Sequence, residues 1–264
     1  MSIFSPLNPP LTNWQGKHVW LIGASSGIGE ALAKQLAQLG AIVYVSARNE
    51  TSLQALANQV QGIAPVALDV TDTNSIASAF EHIKTSLSQT SSNLDLVCYC
   101  AGTYSPLHAG NFDVAVMHQH QRINYSGAID VLGHVLPSLI QQGCGHISLV
   151  SSVAGFHGLP KALAYGPTKA ALINLAECLY LDIHAQGLGV SVINPGFVST
   201  PLTAQNDFAM PALITPEIAA VKIIQGWECG TFDIHFPKRF TLWLKLLALL
   251  PYRWSFAALK KIKA

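Results

Sequence analysis

The sequence has few charges, no paired cysteines and no apolar run near its start. Only 11% of the 264 residues are charged and their formal sum is +1, so no net field attracts nucleic acid. The five cysteines are scattered without a C-x-x-C spacing, which argues against zinc, and we expect no bound metal. Residues 1–17 lack the basic start and apolar stretch of a secretory signal. We therefore expect reduced cysteines and a cytoplasmic protein.

Short apolar runs alternate with amphipathic segments along most of the chain. The pattern predicts helices at 27–39, about 51–60, 72–86, about 163–186, and a long zone of about 112–141 interrupted or capped near Pro137. Predicted strands lie at 18–22, 42–46, 65–68, 94–99, 146–150 and 189–193. This alternation predicts one α/β domain with a Rossmann-type, doubly wound parallel sheet and helices on both faces. We assign residues 1–237 to that domain and 238–264 to a separate tail.

A glycine-rich turn follows the first predicted strand directly and opens the first helix. Such a turn lets a pyrophosphate approach the backbone, and the helix start supplies free amides and a positive dipole end. The sequence therefore predicts a dinucleotide site here. Its residues are Gly23, Ser25, Ser26, Gly27, Ile28 and Gly29.

The second predicted strand ends near Arg48, with no acid before Glu50. A carboxylate at this point would bind the 2′-hydroxyl of NAD, whereas a guanidinium pairs with a 2′-phosphate. We therefore expect NADP(H) to be preferred over NAD(H). A solvated surface arginine is the alternative.

Tyr165 and Lys169 lie four residues apart on a predicted helix, so they share one face. A nearby cation favours the phenolate, and we expect Lys169 to lower the pKa of Tyr165. Such a phenol exchanges a proton with a carbonyl or alcohol oxygen. Ser152, thirteen residues before Tyr165, is placed to bind that oxygen.

Several motifs in this order resemble the single-domain branch of the short-chain dehydrogenase/reductase family, over about residues 15–203. The glycine turn is one, and Asn194–Thr200 resembles the segment that cradles nicotinamide. The other matches are Asp69-Val70, Ala101-Gly102 and the tetrad Asn124, Ser152, Tyr165 and Lys169.

The resemblance implies hydride transfer between nicotinamide and a carbonyl or secondary alcohol of a small molecule. It implies that Lys169 and Tyr165 also contact the cofactor, and that Asn124 kinks its helix and holds a water that returns a proton to Tyr165. Further cofactor contacts are implied for Asp69, Val70, Ala101, Gly102, Pro195, Gly196, Val198 and Thr200. Relatives pair through the helices that carry Asn124 and Tyr165, so we expect a homodimer or homotetramer.

One position departs from the family pattern. Tyr99-Cys100 replaces an Asn-Asn pair that ties the central strands together in relatives. We expect altered hydrogen bonding here and an intact catalytic set.

Residues 201–215 occupy the place of a mobile lid in relatives. Apolar side chains there, Phe208, Met210 and Leu213, face Phe156 and Leu159 across the expected substrate site. This composition favours an apolar, lipid-like carbonyl substrate. Ordinary packing of the lid is an equal alternative.

The tail contains an apolar run at 240–250 and seven cations without any acid. The run is too short to span a bilayer, which takes about 20 residues. Cationic flanks with Trp243 and Trp254 suit a helix on an anionic membrane surface. A helix buried in a subunit interface or beside the active site is the alternative. We therefore leave open peripheral contact with the inner membrane surface.

Three other functions are weighed against the oxidoreductase. A non-catalytic nucleotide sensor or scaffold is disfavoured by the intact Ser152, Tyr165 and Lys169. A sugar-nucleotide epimerase or dehydratase is disfavoured because the short chain leaves little sequence for a separate substrate domain. A protein that acts through its membrane tail is the remaining alternative.

Overall fold

The computed structural model describes residues 5–205 and 210–260. Within them, one parallel sheet runs in the order β3-β2-β1-β4-β5-β6-β7. This order, which reverses beside β1, is that of a doubly wound α/β fold, and it confirms the predicted class. The strands are β1 (His18–Ile22), β2 (Ile42–Ser46), β3 (Ile63–Pro65), β4 (Leu94–Tyr99), β5 (His146–Val150), β6 (Gly189–Pro195) and β7 (Asp233–Phe236).

Helices cover both faces of the sheet, because parallel strands need crossover connections. They are α1 (Gly27–Gln38), α2 (Glu50–Gln59), α3 (Thr73–Thr90), α4 (Val114–His120), α5 (Gly127–Gln142), α6 (Tyr165–Ile183), α7 (Pro216–Glu228), α8 (Lys238–Leu249) and α9 (Tyr252–Leu259). Asp72 caps the start of α3, where its side chain accepts a hydrogen bond from Asn74 N at 2.9 Å.

The strands bury alternate side chains in two separate apolar layers. Trp20 and Ile22 of β1 pack in one layer with α3, α5 and α6, while Val19 and Leu21 pack in the other with α1, α2 and α7. A sheet covered on both faces requires the continuous apolar runs that the sequence shows.

Two strands differ from the sequence prediction. Strand β3 lies largely before the strand predicted at 65–68. Within that predicted stretch, Val66 N donates to Val45 O at 2.9 Å and Leu68 N donates to Ala47 O at 3.1 Å. This stretch therefore follows the edge of β2 without a continuous ladder. β6 extends to Pro195 because β7 pairs with it there, a long-range contact that local periodicity does not encode.

The long helical zone is interrupted, but not at Pro137 as predicted. Pro137 lies inside α5, and the break is a π-helical turn at Gln121–Ser126. A proline within a helix removes one hydrogen bond and crowds the preceding turn. Burial of Val135 and Leu139 on either side holds this turn against the core nonetheless.

The apolar periodicity of the sequence also fails to predict α7 and β7. The start of α7 carries a readable signal, because Thr215 caps it with a 3.4 Å hydrogen bond from Ile218 N and Pro216 occupies its first turn. β7 is only four residues long and mixes Asp233 and His235 with apolar residues. Its strand conformation follows from pairing with β6.

The predicted apolar helix of the tail is confirmed as α8. Its inner residues Leu244 and Leu247 pack with Val153 and with Leu259 of α9. Lys245 forms an ion pair with Asp233 of β7. None of the helices within residues 5–205 and 210–260 has the length and apolar character to cross a bilayer. The assignment of 238–264 to a unit of its own stays a prediction.

Replacing Leu244 tests the packing of α8. Leu244 is 1% exposed, so we expect Leu244→Ala to lower the free energy of unfolding by about 2–5 kcal/mol through lost burial and a cavity. The matched control is Leu246→Ala on the outer face of the same helix, for which we expect about 0.5 kcal/mol or less. Urea denaturation followed by circular dichroism measures both. Similar losses in the two variants would contradict the packing described.

Candidate active site

The glycine turn after β1 is shaped by close backbone contact. Gly23 has φ +90°, and a Cβ there would lie 2.5 Å from Ala101 N, in the loop after β4. A Cβ on Gly27 would lie 2.9 Å from Thr200 Cγ2, after β6. Only residues without a side chain fit at these two points, because three strand ends converge there.

This convergence leaves a cradle that fits a pyrophosphate. Ser26 is the N-cap of α1, and its side chain makes no capping hydrogen bond within the part of the chain that is described. The amides of the first helical turn therefore remain available to an anion at the positive end of the helix dipole.

A cavity of about 690 Å³ extends from this cradle along the carboxyl ends of the strands. In an open α/β sheet, ligands bind at this edge where the strand order reverses. The residues predicted to bind the cofactor line this cavity: Gly23, Ser25, Ser26, Gly27, Ile28, Gly29, Arg48, Asp69, Val70, Ala101, Gly102, Tyr165, Lys169, Pro195, Gly196, Val198 and Thr200.

Arg48 and Asp69 face the far end of the cavity. Partial burial raises the pKa of Asp69, but hydrogen bonds from Thr71 N (2.9 Å) and Thr71 Oγ1 (2.8 Å) and the charge of Arg48 together lower it. Asp69 therefore stays ionised with its geometry fixed by Thr71. Arg48 supplies the positive charge at this end.

Tyr165 and Lys169 lie together in the cavity wall. Lys169 Nζ is 5.4 Å from the centroid of the Tyr165 ring and donates a 2.8 Å hydrogen bond to Val150 O. Ser152, which follows β5, hydrogen-bonds to Tyr165. The spacing predicted from the sequence thus brings the three side chains together.

The predicted lowering of the Tyr165 pKa is wrong. Burial raises this pKa to about 12, a hydrogen bond from Ser152 opposes the rise, and Tyr104 adds to it. Burial also lowers the pKa of Lys169 to about 8. Lys169 has therefore lost its charge before Tyr165 titrates, so desolvation outweighs the neighbouring amine.

Asn124 is fully buried within the π-helical turn. Its Oδ1 accepts from Thr103 N at 2.7 Å, and its Nδ2 donates to Thr103 O and Thr168 Oγ1, each at 3.1 Å. The helix is therefore interrupted at Asn124, where the resemblance implies a kink. One amide group joins the loop after β4 to the start of α6, which carries Tyr165 and Lys169.

Comparison with known proteins gives consistent matches. Residues 17–210 match the family described as short chain dehydrogenase. An uncharacterized oxidoreductase of Myxococcus xanthus is 34% identical over 245 residues, covering 91% of this chain and 95% of that protein. Another uncharacterized oxidoreductase, of Staphylococcus epidermidis, is 35% identical over 187 residues, covering 70% of this chain and 80% of that protein. The chain belongs to the short-chain dehydrogenase family.

Two solved structures share the fold of this short-chain dehydrogenase. A ribose-5-phosphate isomerase from Brucella melitensis superposes with a TM-score of 0.75 at 24% identity, covering 85% of this chain and 92% of that one. A short chain dehydrogenase/reductase family protein superposes with a TM-score of 0.73 at 24% identity, covering 85% of this chain and 97% of that one. At this identity the likeness establishes the fold alone.

Tyr99 links β4 to the π-helical turn in this short-chain dehydrogenase. Its hydroxyl donates a 2.5 Å hydrogen bond to Ile123 O in the π-helical turn. A Cβ on Gly127 would lie 2.6 Å from that hydroxyl, so glycine makes room for the larger side chain. Cys100 lines the cavity, with its sulfur 3.4 Å from that of buried Cys98.

The substrate side of the cavity differs from the sequence expectation. Of the predicted apolar residues that the structure describes, only Leu159 lines it, and Phe197, Leu202 and Phe240 also line the cavity. Phe156 instead packs with the tail helices, because Lys245 lies over its ring at 5.2 Å.

The predicted lid lies partly outside the described residues. Phe208 falls in that gap. Met210 is partly buried and Leu213 is exposed, and neither is among the described residues that line the cavity. Their role as a lid stays a prediction.

Tyr104 is a site residue that no sequence motif indicated, and its ring meets that of Tyr165 edge-on with centroids 5.3 Å apart. Its position just after the predicted strand 94–99 is the signal that would have found it, because the carboxyl ends of parallel strands meet at the active-site edge.

Removing the Asn124 amide tests its structural role in this short-chain dehydrogenase. We expect Asn124→Ala to lower the free energy of unfolding by about 1–3 kcal/mol for each backbone group of Thr103 left buried and unpaired. The control is Asn58→Ala on exposed α2. Denaturant unfolding measures both, and a stability for Asn124→Ala equal to that of the control would contradict the assignment.

Proposed function

We propose that the chain is an NADP(H)-dependent oxidoreductase that interconverts an apolar carbonyl compound and the corresponding secondary alcohol. The observation that carries this proposal is one cavity that joins the glycine cradle to Ser152, Tyr165 and Lys169. A sensor or scaffold of the same fold would need the glycine cradle but not Ser152, Tyr165 and Lys169.

The glycine cradle and the residues from Pro195 to Thr200 would hold the dinucleotide, and hydride chemistry would come from its nicotinamide. Ser152 holds the substrate oxygen by a hydrogen bond, and Tyr165 exchanges a proton with it. With a pKa of about 12, Tyr165 is protonated at neutral pH and is a proton donor for carbonyl reduction. Lys169 is mostly charged at pH 7, because its pKa is about 8. It stabilises negative charge that develops on Tyr165 as the proton leaves.

Two features support the choice of cofactor and substrate. Arg48 lines the end of the cavity where a 2′-phosphate is expected, and a planar guanidinium suits that group. Leu159, Phe197 and Phe240 line the same cavity as Tyr165, so an apolar substrate would remove the most surface from water.

We further propose that the protein is cytoplasmic and forms a homodimer or homotetramer. The helices through which relatives pair expose apolar side chains here, namely Ile129 and Ile140 of α5 and Leu181 of α6. Covering them in a symmetric interface would bury these residues on both copies.

Removing one oxygen from Tyr165 tests the proton-transfer role. We expect Tyr165→Phe to bind NADPH normally and to lose a factor of about 10²–10⁴ in kcat, because proton transfer is lost while the ring is kept. Exposed Tyr252→Phe is the matched control. NADPH oxidation with a panel of ketones measures turnover, and fluorescence titration measures binding. Wild-type turnover in Tyr165→Phe would refute the role, and failure of both proteins to oxidise NADPH would favour the non-catalytic alternative.

Replacing the guanidinium of Arg48 tests cofactor choice. We expect Arg48→Gln to weaken NADPH binding by about 10–100-fold, because charged hydrogen bonds to the 2′-phosphate are lost, and to leave NADH binding nearly unchanged. Arg122→Gln, also at an exposed position, is the control. Calorimetric titration of each variant with both cofactors gives the ratio. Equal weakening for NADPH and NADH would contradict the assignment.

A further inference from the structure

The outer face of α8 is apolar although it faces solvent. Leu242, Leu246 and Leu249 are 54%, 59% and 82% exposed, and their spacing places them on one side of the helix. Trp243 lies next to this row and is also exposed. A surface helix normally carries polar residues on its outer side.

The following helix continues this surface. Tyr252, Trp254 and Phe256 of α9 are 74%, 65% and 48% exposed, whereas Ser255 and Leu259 face inward. We call the exposed apolar side chains of α8 and α9 the tail surface. Seven large apolar side chains are therefore exposed on two short helices, and exposed apolar surface of this kind marks an interaction site.

The tail surface is fixed to the catalytic cavity. Leu244 and Leu247 on the inner side of α8 pack against Val153, the residue after Ser152. Phe240, in the first turn of α8, lines the cavity itself. Whatever contacts the tail surface therefore lies one helix thickness away from the substrate wall.

The charges around the tail surface favour an anionic lipid surface over a second copy of the chain as its binding partner. Lys238, Arg239, Arg253 and Lys260 are exposed at the ends of α8 and α9, and the sequence has no acid from residue 238 to its end. A second copy of the chain docked here would bring two cationic rims together, which is unfavourable. An anionic lipid surface complements both the cations and the apolar side chains, at about 1 kcal/mol per cation near the surface.

We propose that the tail surface docks on an anionic lipid bilayer, with α8 and α9 lying in the interface. Helices of 12 and 8 residues are too short to span it, since spanning takes about 20 residues. Exposed leucine, tryptophan and tyrosine are the residue types that suit an interfacial contact. The docking itself does not depend on the proposed reaction.

Co-sedimentation of the full chain with vesicles tests the proposal. We expect binding to phosphatidylglycerol/phosphatidylcholine vesicles that weakens with added salt, and much weaker binding to pure phosphatidylcholine. The double variant Leu246→Glu/Leu249→Glu should bind at least about tenfold more weakly, because it places charges where apolar side chains enter the interface. Both positions are exposed, so the fold should persist, as circular dichroism and NADPH-induced thermal shift would verify.

The control variant is Leu39→Glu, an exposed leucine after α1, which should bind vesicles like the wild type. Absence of wild-type binding, equal binding to neutral vesicles, or equal binding by the double variant would overturn the proposal. Equal loss in the Leu39→Glu control would overturn it as well. A dimer seen by sedimentation velocity that dissociates in the double variant, without vesicle binding, would assign the surface to a second copy.

Tryptophan fluorescence provides an independent measurement. Of the five tryptophans, Trp14, Trp20 and Trp227 are buried, whereas Trp243 and Trp254 are on the tail surface. Anionic vesicles should shift the emission to the blue, and bromine-labelled acyl chains should quench it. An unchanged spectrum at saturating lipid would contradict insertion of this surface.

Discussion

The site depends on the close approach of three chain segments at the carboxyl edge of the sheet. The backbone at Gly23 contacts the loop after β4 at Ala101, and Gly27 contacts Thr200 after β6. These contacts leave no room for a Cβ, so the glycines are required by a long-range arrangement of strands and not only by a local turn. The cradle at the start of α1 and the wall that carries Tyr165 become one cavity because these segments meet.

Burial determines the chemistry of that wall more than proximity does. The spacing of Tyr165 and Lys169 correctly placed both side chains in one cavity, but it suggested the wrong direction for the tyrosine pKa. Spacing reports distance, whereas the pKa also depends on the water removed from around each group. Tyr104 and the packing of α6 on the core remove that water, and neither is visible in a four-residue motif.

The same distinction separates what the sequence could predict from what it could not. β1, β2, β4 and β5 were predicted with their observed bounds, because buried parallel strands form continuous apolar runs. β7 was missed because its conformation comes from pairing with β6. The Tyr99 substitution was visible in the sequence, but its hydrogen bond to Ile123 O and the space left by Gly127 depend on two segments that only the fold brings together. Phe156 was expected in the wall that faces the lid, whereas it packs against the tail helices.

The tail shows how one short helix can serve two environments. Every third or fourth residue of α8 packs inward on Val153, and the alternate rows face outward with leucine and tryptophan. The inner row alone explains why the helix is held in place, since the ion pair of Lys245 with Asp233 and the burial of Leu244 fix it to β7 and the core. The outer row, with Leu242 and Leu246 more than half exposed, is not needed for that packing. The proposed contact with an anionic lipid surface would cover it and match the cations at the helix ends. Because Phe240 belongs to the same helix, a ligand of the outer face is physically adjacent to the wall of the cavity.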